Sequence, residues 1–83
     1  MKLVSPITLK RVMERFGYKI VSQDRNCWIL ERDGHPIVIS QTMILVPLDM
    51  LESILGPSGM DEETFKRLVA EVESSSQPSA QIN

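Results

Sequence analysis

The sequence predicts an α+β domain: one helix, a three-stranded antiparallel sheet, and a helical C-terminal region on the same sheet face. Three observations predict it. Apolar residues recur at helical spacing from Leu9 to Phe16, at strand spacing through the middle third, and at helical spacing again from Leu48 to Val72. Asp33-Gly34 lies between two β-rich runs, a strong hairpin signal. Every link between the expected strands is short enough for a hairpin, so one sheet face should carry helices and the other face solvent.

The elements follow in order. Ser5-Pro6 has the form of an N-cap followed by proline at the first helical position, where a missing N–H costs nothing. Leu9, Val12, Met13 and Phe16 make an apolar stripe, and Gly17 suits the left-handed residue that stops a helix, so the first helix covers about 6–16. Tyr18, Ile20 and Ser22 then alternate with Lys19, Val21 and Gln23 as a first strand. Asp24-Arg25-Asn26 is turn material. Cys27–Arg32 is the second strand, with Trp28 and Leu30 on one face; His35–Ser40 is the third, with Ile37 and Ile39 on one face. Pro36 lacks a ladder donor and marks an edge or a strand start.

Gln41–Val46 reads as either a short extra strand or a loop pinned to the core. From Pro47 the spacing is helical (Leu48, Leu51, Ile54, Leu55) and ends at Gly56-Pro57. Asp61 opens the last helix, with Glu62 and Glu63 favoured in its first turn by the macrodipole. Met60 and Phe65 hold the positions of a hydrophobic staple. Residues 74–83 contain no charge, three consecutive serines and a proline, and read as a disordered tail after a single domain at 1–73.

Composition narrows the function. At 83 residues with net charge −2, the whole-molecule field favours neither nucleic acid nor membrane. Residues 1–47 nevertheless hold seven Lys/Arg against four Asp/Glu, and residues 48–83 hold two against seven. A basic front half is thus followed by an acidic back half. The single cysteine excludes an intramolecular disulfide and fits a reducing, cytoplasmic setting. One cysteine and one histidine cannot build a Cys/His zinc site, no glycine-rich phosphate loop is present, and no cofactor is expected. The longest apolar runs have four residues, against about 20 for a membrane helix. No secretory signal is visible at the N-terminus.

The order of elements, with the strings Leu9-Lys10-Arg11-Val12-Met13-Glu14-Arg15-Phe16-Gly17-Tyr18, Val21-Ser22-Gln23, Cys27-Trp28-Ile29-Leu30, Asp33-Gly34, Ile37-Val38-Ile39, Met50-Leu51-Glu52-Ser53-Ile54-Leu55 and Gly59-Met60-Asp61-Glu62-Glu63-Thr64-Phe65, resembles the HicA (YcfA-like) family of bacterial toxins over about Ile7–Val69. The resemblance implies a double-stranded-RNA-binding-domain-like α-β-β-β-α fold. It also implies a HicB-like antitoxin as partner and, for active members, mRNA interferase activity. Where the family pattern reads Gly-Ser-His with a catalytic histidine, this chain has Arg25-Asn26-Cys27. A further proline and histidine of the family fall near Ser40-Gln41-Thr42, and its Gly-Thr-Leu appears as Asp49-Met50-Leu51.

Metal-free RNA cleavage needs a base for the 2′-OH, and imidazole suits this because it titrates near neutrality. Cys27 is a poor replacement unless a cation such as Arg25 lowers its pKa; otherwise it is a half-buried strand cysteine. A two-residue hairpin at Asp33-Gly34 places His35 opposite Arg32 and Ser40 opposite Cys27, roughly 16 Å apart along the ladder, too far for His35 to assist. No catalytic residue is expected, and His35 reads as a solvated turn flank.

The leading expectation is therefore a HicA-like RNA-binding protein of the toxin–antitoxin type without interferase activity. Lys10, Arg11 and Arg15 on the first helix, with Lys19 and Arg25 near the sheet end, are its candidate phosphate contacts; Trp28 reads as core. The alternative is a protein-interaction module that binds no RNA, and a third reading is a ribonuclease with a relocated catalytic residue. Met43, Ile44, Leu45 and Val46 are the candidate strip for an antitoxin or for the second copy in a homodimer, unless they fold back onto the helices.

Overall fold

The structure, a computed structural model, describes residues 3–75. It is an α+β fold with α1 (Pro6–Arg15), β1 (Lys19–Gln23), β2 (Cys27–Arg32), β3 (His35–Ser40), α2 (Leu48–Ser58) and α3 (Glu62–Ser75). The strands form one antiparallel sheet in the order β1-β2-β3. No described helix is long and apolar enough to cross a membrane.

Helix α1 starts where the Ser5 hydroxyl accepts the Thr8 N–H and Pro6 fills the first position. Leu9, Val12 and Met13 face inward and are fully buried. The helix closes in a Schellman motif: Gly17 N–H donates to the Glu14 carbonyl and Tyr18 N–H to the Met13 carbonyl. That geometry requires the φ of +103° that Gly17 adopts.

The hairpin between β2 and β3 has Arg32 opposite His35 and Cys27 opposite Ser40, in the register expected from Asp33-Gly34. Both turn residues have positive φ (52° and 79°), the form whose twist matches the flanking strands. Trp28 and Leu30 of β2 face the helices with Ile39 of β3, and all three are buried in one cluster with α1, α2 and α3. Trp28 is a core residue.

Helix α3 opens on Asp61, whose carboxylate accepts the Thr64 N–H at 2.8 Å. Met60 and Phe65 are both buried, as a staple requires. Phe65, Leu68, Val69 and Val72 form the buried stripe, and α3 packs on α1.

Three expectations are corrected, and one that the sequence leaves open is decided. In β1 the alternation breaks at Val21: Ile20 faces Leu30 but Ser22 faces Ile29, so one extra residue bulges from this edge strand and Ser22 does not share a face with Ile20. Gly56-Pro57 does not end α2, which continues to Ser58. The Ser58 hydroxyl, donating to the Leu55 carbonyl and accepting from Met60 N–H, holds the turn that proline weakens. Of the two readings of Gln41–Val46, the loop holds: it is tied to the N-terminal segment by a Val46 N–H to Val4 carbonyl bond of 2.8 Å. Finally, Ser74 and Ser75 belong to α3, and the rest of the expected tail lies outside the described residues.

Candidate functional site

Cys27 opens β2 beside the turn from β1. Asp24 organises that turn. Its carboxylate accepts the N–H groups of Asn26 at 2.7 Å and Cys27 at 2.9 Å, and these bonds hold the carboxyl below the usual range. Gln41 closes the other side, donating from its side chain to the Asp24 carbonyl and from its backbone to the Asn26 carbonyl. Partial burial pushes the Cys27 thiol pKa up, and the adjacent Asp24 charge pushes it further. The charge acting on the thiol is thus a carboxylate, which opposes the activation that Arg25 would have supplied. His35 is at the opposite end of the hairpin. The thiol, with its pKa raised, is a poor group for activating a 2′-OH, and the carboxylate beside it is engaged by the turn's own N–H groups.

The five candidate phosphate contacts take separate places. Lys10 tucks beside the sheet, its Nζ 5.6 Å from the Trp28 ring centroid and 3.4 Å from Glu14. Arg15 turns to α3, pairing with Glu71 at 3.5 Å and donating to the Ser75 hydroxyl at 3.0 Å. Arg11 lies beside Arg15 at an open cleft between α1 and α3, with Glu14, Val72 and Ser75. Lys19 begins β1 and Arg25 sits in the turn beyond its other end, so roughly 15–20 Å of strand separates them. Only Arg11 and Arg15 are brought together, and Arg15 is already paired with Glu71. Arg11, Lys19 and Arg25 have no ion-pair partner among the described residues.

The apolar strip divides. Val46 is 1% exposed and belongs to the core, and Met43 packs against the core half-buried. The cause is the Val4–Val46 backbone bond, which draws the end of the loop inward. Ile44 is 88% exposed and Leu45 51%, leaving those two outside.

Two features escaped the sequence reading. Arg32, at the end of β2, reaches under the C-termini of two helices: Nη1 donates to the Phe16 carbonyl at 2.8 Å and Nη2 to the Ser58 carbonyl at 3.2 Å. Its guanidinium also stacks over Phe16 at 4.5 Å and Tyr18 at 5.2 Å. Cationic donors satisfy orphan carbonyls and the negative end of the dipole together. Arg32 therefore fixes both helix ends to the sheet.

The second feature is a groove of about 450 Å³ along the β3 edge, walled by α2 and lined by Pro36, Ile37, Val38, Ser40, Met50, Ser53, Ile54 and Pro57. No lining residue is charged. The α2 residues lie at i, i+3, i+4, i+7, one helical stripe, while the acidic Asp49 and Glu52 are off it. Pro36 was the available signal, since proline in a strand marks an edge.

Among the described residues no group of three or more His, Cys, Asp or Glu side chains is placed to hold a metal ion. Compared with protein-family models, curated proteins and solved structures, the chain has no significant match.

Proposed function

We propose that this chain is a HicA-like domain of a toxin–antitoxin lineage that keeps the scaffold without ribonuclease chemistry and works by docking protein. The observation that carries the reading is the uncharged wall along β3 and α2. Nearly a quarter of the chain is charged, yet the eight residues lining this groove include no charge. Apolar side chains beside free strand-edge peptide groups offer a partner both burial and backbone hydrogen bonds. A HicB-like antitoxin is the partner class that the resemblance implies, and a bacterial cytoplasm the compartment. The raised pKa of the Cys27 thiol supports a scaffold without cleavage.

RNA binding is the second reading, favoured by the Arg11–Arg15 cleft between α1 and α3. Against it stand the Glu71 pairing of Arg15, the Trp28 contact of Lys10 and the separation of Lys19 from Arg25. Phosphate binding draws its strength from several cations acting along one backbone.

Co-expression with the product of the adjacent reading frame separates the two. The docking reading expects a complex that Arg11→Glu leaves intact and Val38→Lys abolishes. A complex that depends on Arg11 and ignores Val38 overturns it.

A further inference from the structure

We infer that in the chain by itself, with no other partner bound, the surface along β3 and α2 is occupied by a second copy, added edge to edge through β3. This rests on the docking reading and names its occupant.

The ladder register decides which peptide groups are free. In a two-residue hairpin the flanking pair, Arg32 with His35, exchanges both backbone bonds, and such pairs alternate along an antiparallel ladder. Ile37 and Ile39 then bond inward to β2. The Gln41 N–H to Asn26 carbonyl bond of 2.8 Å lies on the same alternation, one step beyond the strand. Pro36, Val38 and Ser40 therefore turn their peptide groups to the open edge. The proline, which has no N–H to offer, sits at one of these outward positions, where β2 loses nothing by it.

An antiparallel two-fold through Val38 uses this set. Val38 of each copy donates to the Val38 carbonyl of the other, and each Ser40 N–H meets the facing Pro36 carbonyl. Each copy's Pro36 lacks the N–H that would complete its pair with Ser40, so the proline leaves one bond unmade at each end of the pairing. Two copies would share one continuous sheet, with the Met50, Ser53 and Pro57 stripes of the two α2 helices brought toward each other.

Charge argues for a second copy over a charged partner. A strongly basic or acidic segment would find no counter-charge in the groove, whereas an identical neutral surface desolvates none. Net charge of −2 adds little self-repulsion. The two sheet edges are also treated differently. β1 carries Lys19 and the Val21 bulge, both devices that discourage pairing, while β3 from His35 to Ser40 has no Lys, Arg, Asp or Glu. Val38 is 56% exposed, so it contributes little to the folded chain alone.

The test is molar mass by sedimentation equilibrium from about 5 μM to about 500 μM, a range suited to an interface at the small end of stable ones. The mass should rise toward twice 9.4 kDa with concentration. Val38→Lys and Val38→Glu each place like charges opposite one another at the two-fold and should remain monomeric with unchanged melting temperatures. Their equimolar mixture should associate again, an outcome that misfolding cannot produce. A native chain that stays monomeric throughout overturns the second copy, as does a dimer indifferent to both variants. A monomer that still binds the adjacent frame's product through Val38 removes the second copy while the docking reading stands.

Discussion

Arg32 of β2 donates to the carbonyl of Phe16, the residue that ends α1, at 2.8 Å, and lays its guanidinium 4.5 Å from the centre of the same residue's ring. The other Nη reaches Ser58 at the end of α2. One side chain thus fastens two helices to one strand, and only a planar fork with several donors can make both bonds and the stack. Arg32→Met should lower stability by about 2 kcal/mol and melting temperature by about 10 °C, with Arg32→Lys recovering only part of the loss. Thermal denaturation of the three proteins checks it.

Gly17 makes that reach possible. A Cβ there would stand 3.1 Å from Cδ of Arg32, on a backbone with φ of +103°. Gly17→Ala should cost about 1–2 kcal/mol. In an Arg32→Ala background the cost should shrink, because the steric part disappears with the long side chain. A double-mutant cycle that returned simple additivity would show the two residues to be independent.

The Cys27 thiol should behave as an unreactive one. Its pKa is raised by partial burial and then by Asp24. Alkylation by iodoacetamide at neutral pH should be slower than for a free thiol and should quicken in Asp24→Asn, where the repelling charge is gone. Equal rates in the two proteins would remove Asp24 from the explanation.

Acid should weaken the fold through Asp24 and Asp61. Both carboxyls sit below their ordinary range in the folded chain, Asp24 through the N–H groups of Asn26 and Cys27, Asp61 through the hydroxyl and N–H of Thr64. Folded values lower than unfolded ones mean stability that is present above the ordinary carboxylate range and lost as pH falls through the folded values. Urea midpoints should therefore drop on acidification, and the drop should be shallower in the Asp24→Asn, Asp61→Asn double variant.

Val46 and Ile44 are close in sequence and opposite in consequence. Val46→Ala opens space in the core and should cost about 2 kcal/mol. Ile44→Ser changes an exposed side chain and should stay within about 0.5 kcal/mol. Denaturant titration of both separates the part of Met43–Val46 that stabilises the fold from the part that faces out.

Much of this architecture is legible in the sequence because local signals agree with the packing. Ser5-Pro6, Gly17, Asp33-Gly34 and Met60 with Phe65 each perform the turn, stop or staple that their residue types suggest. The bulge at Val21 is not legible, since Ile20 and Ser22 alternate equally well on either register. Arg32 is hidden for another reason: its partners, Phe16 and Ser58, lie 16 and 26 residues away and are backbone carbonyls, which no residue pattern marks. The basic helix face misleads in the same way. Lys10, Arg11 and Arg15 read as one solvated face until Trp28 draws the first inward and Glu71 of α3 takes the last. Pro36 was visible, but its meaning depends on which way each β3 peptide group points, and that follows only from the register with β2.

The most direct test of the proposal that this domain docks protein and neither cuts nor holds RNA is titration of labelled single- and double-stranded RNA with the purified chain in low salt. Binding and strand integrity are followed together. The account predicts intact RNA and no saturable binding up to about 100 μM, where even non-specific phosphate contacts register. Saturable, salt-sensitive binding lost in Arg11→Glu, or cleavage lost in Cys27→Ala, would contradict it.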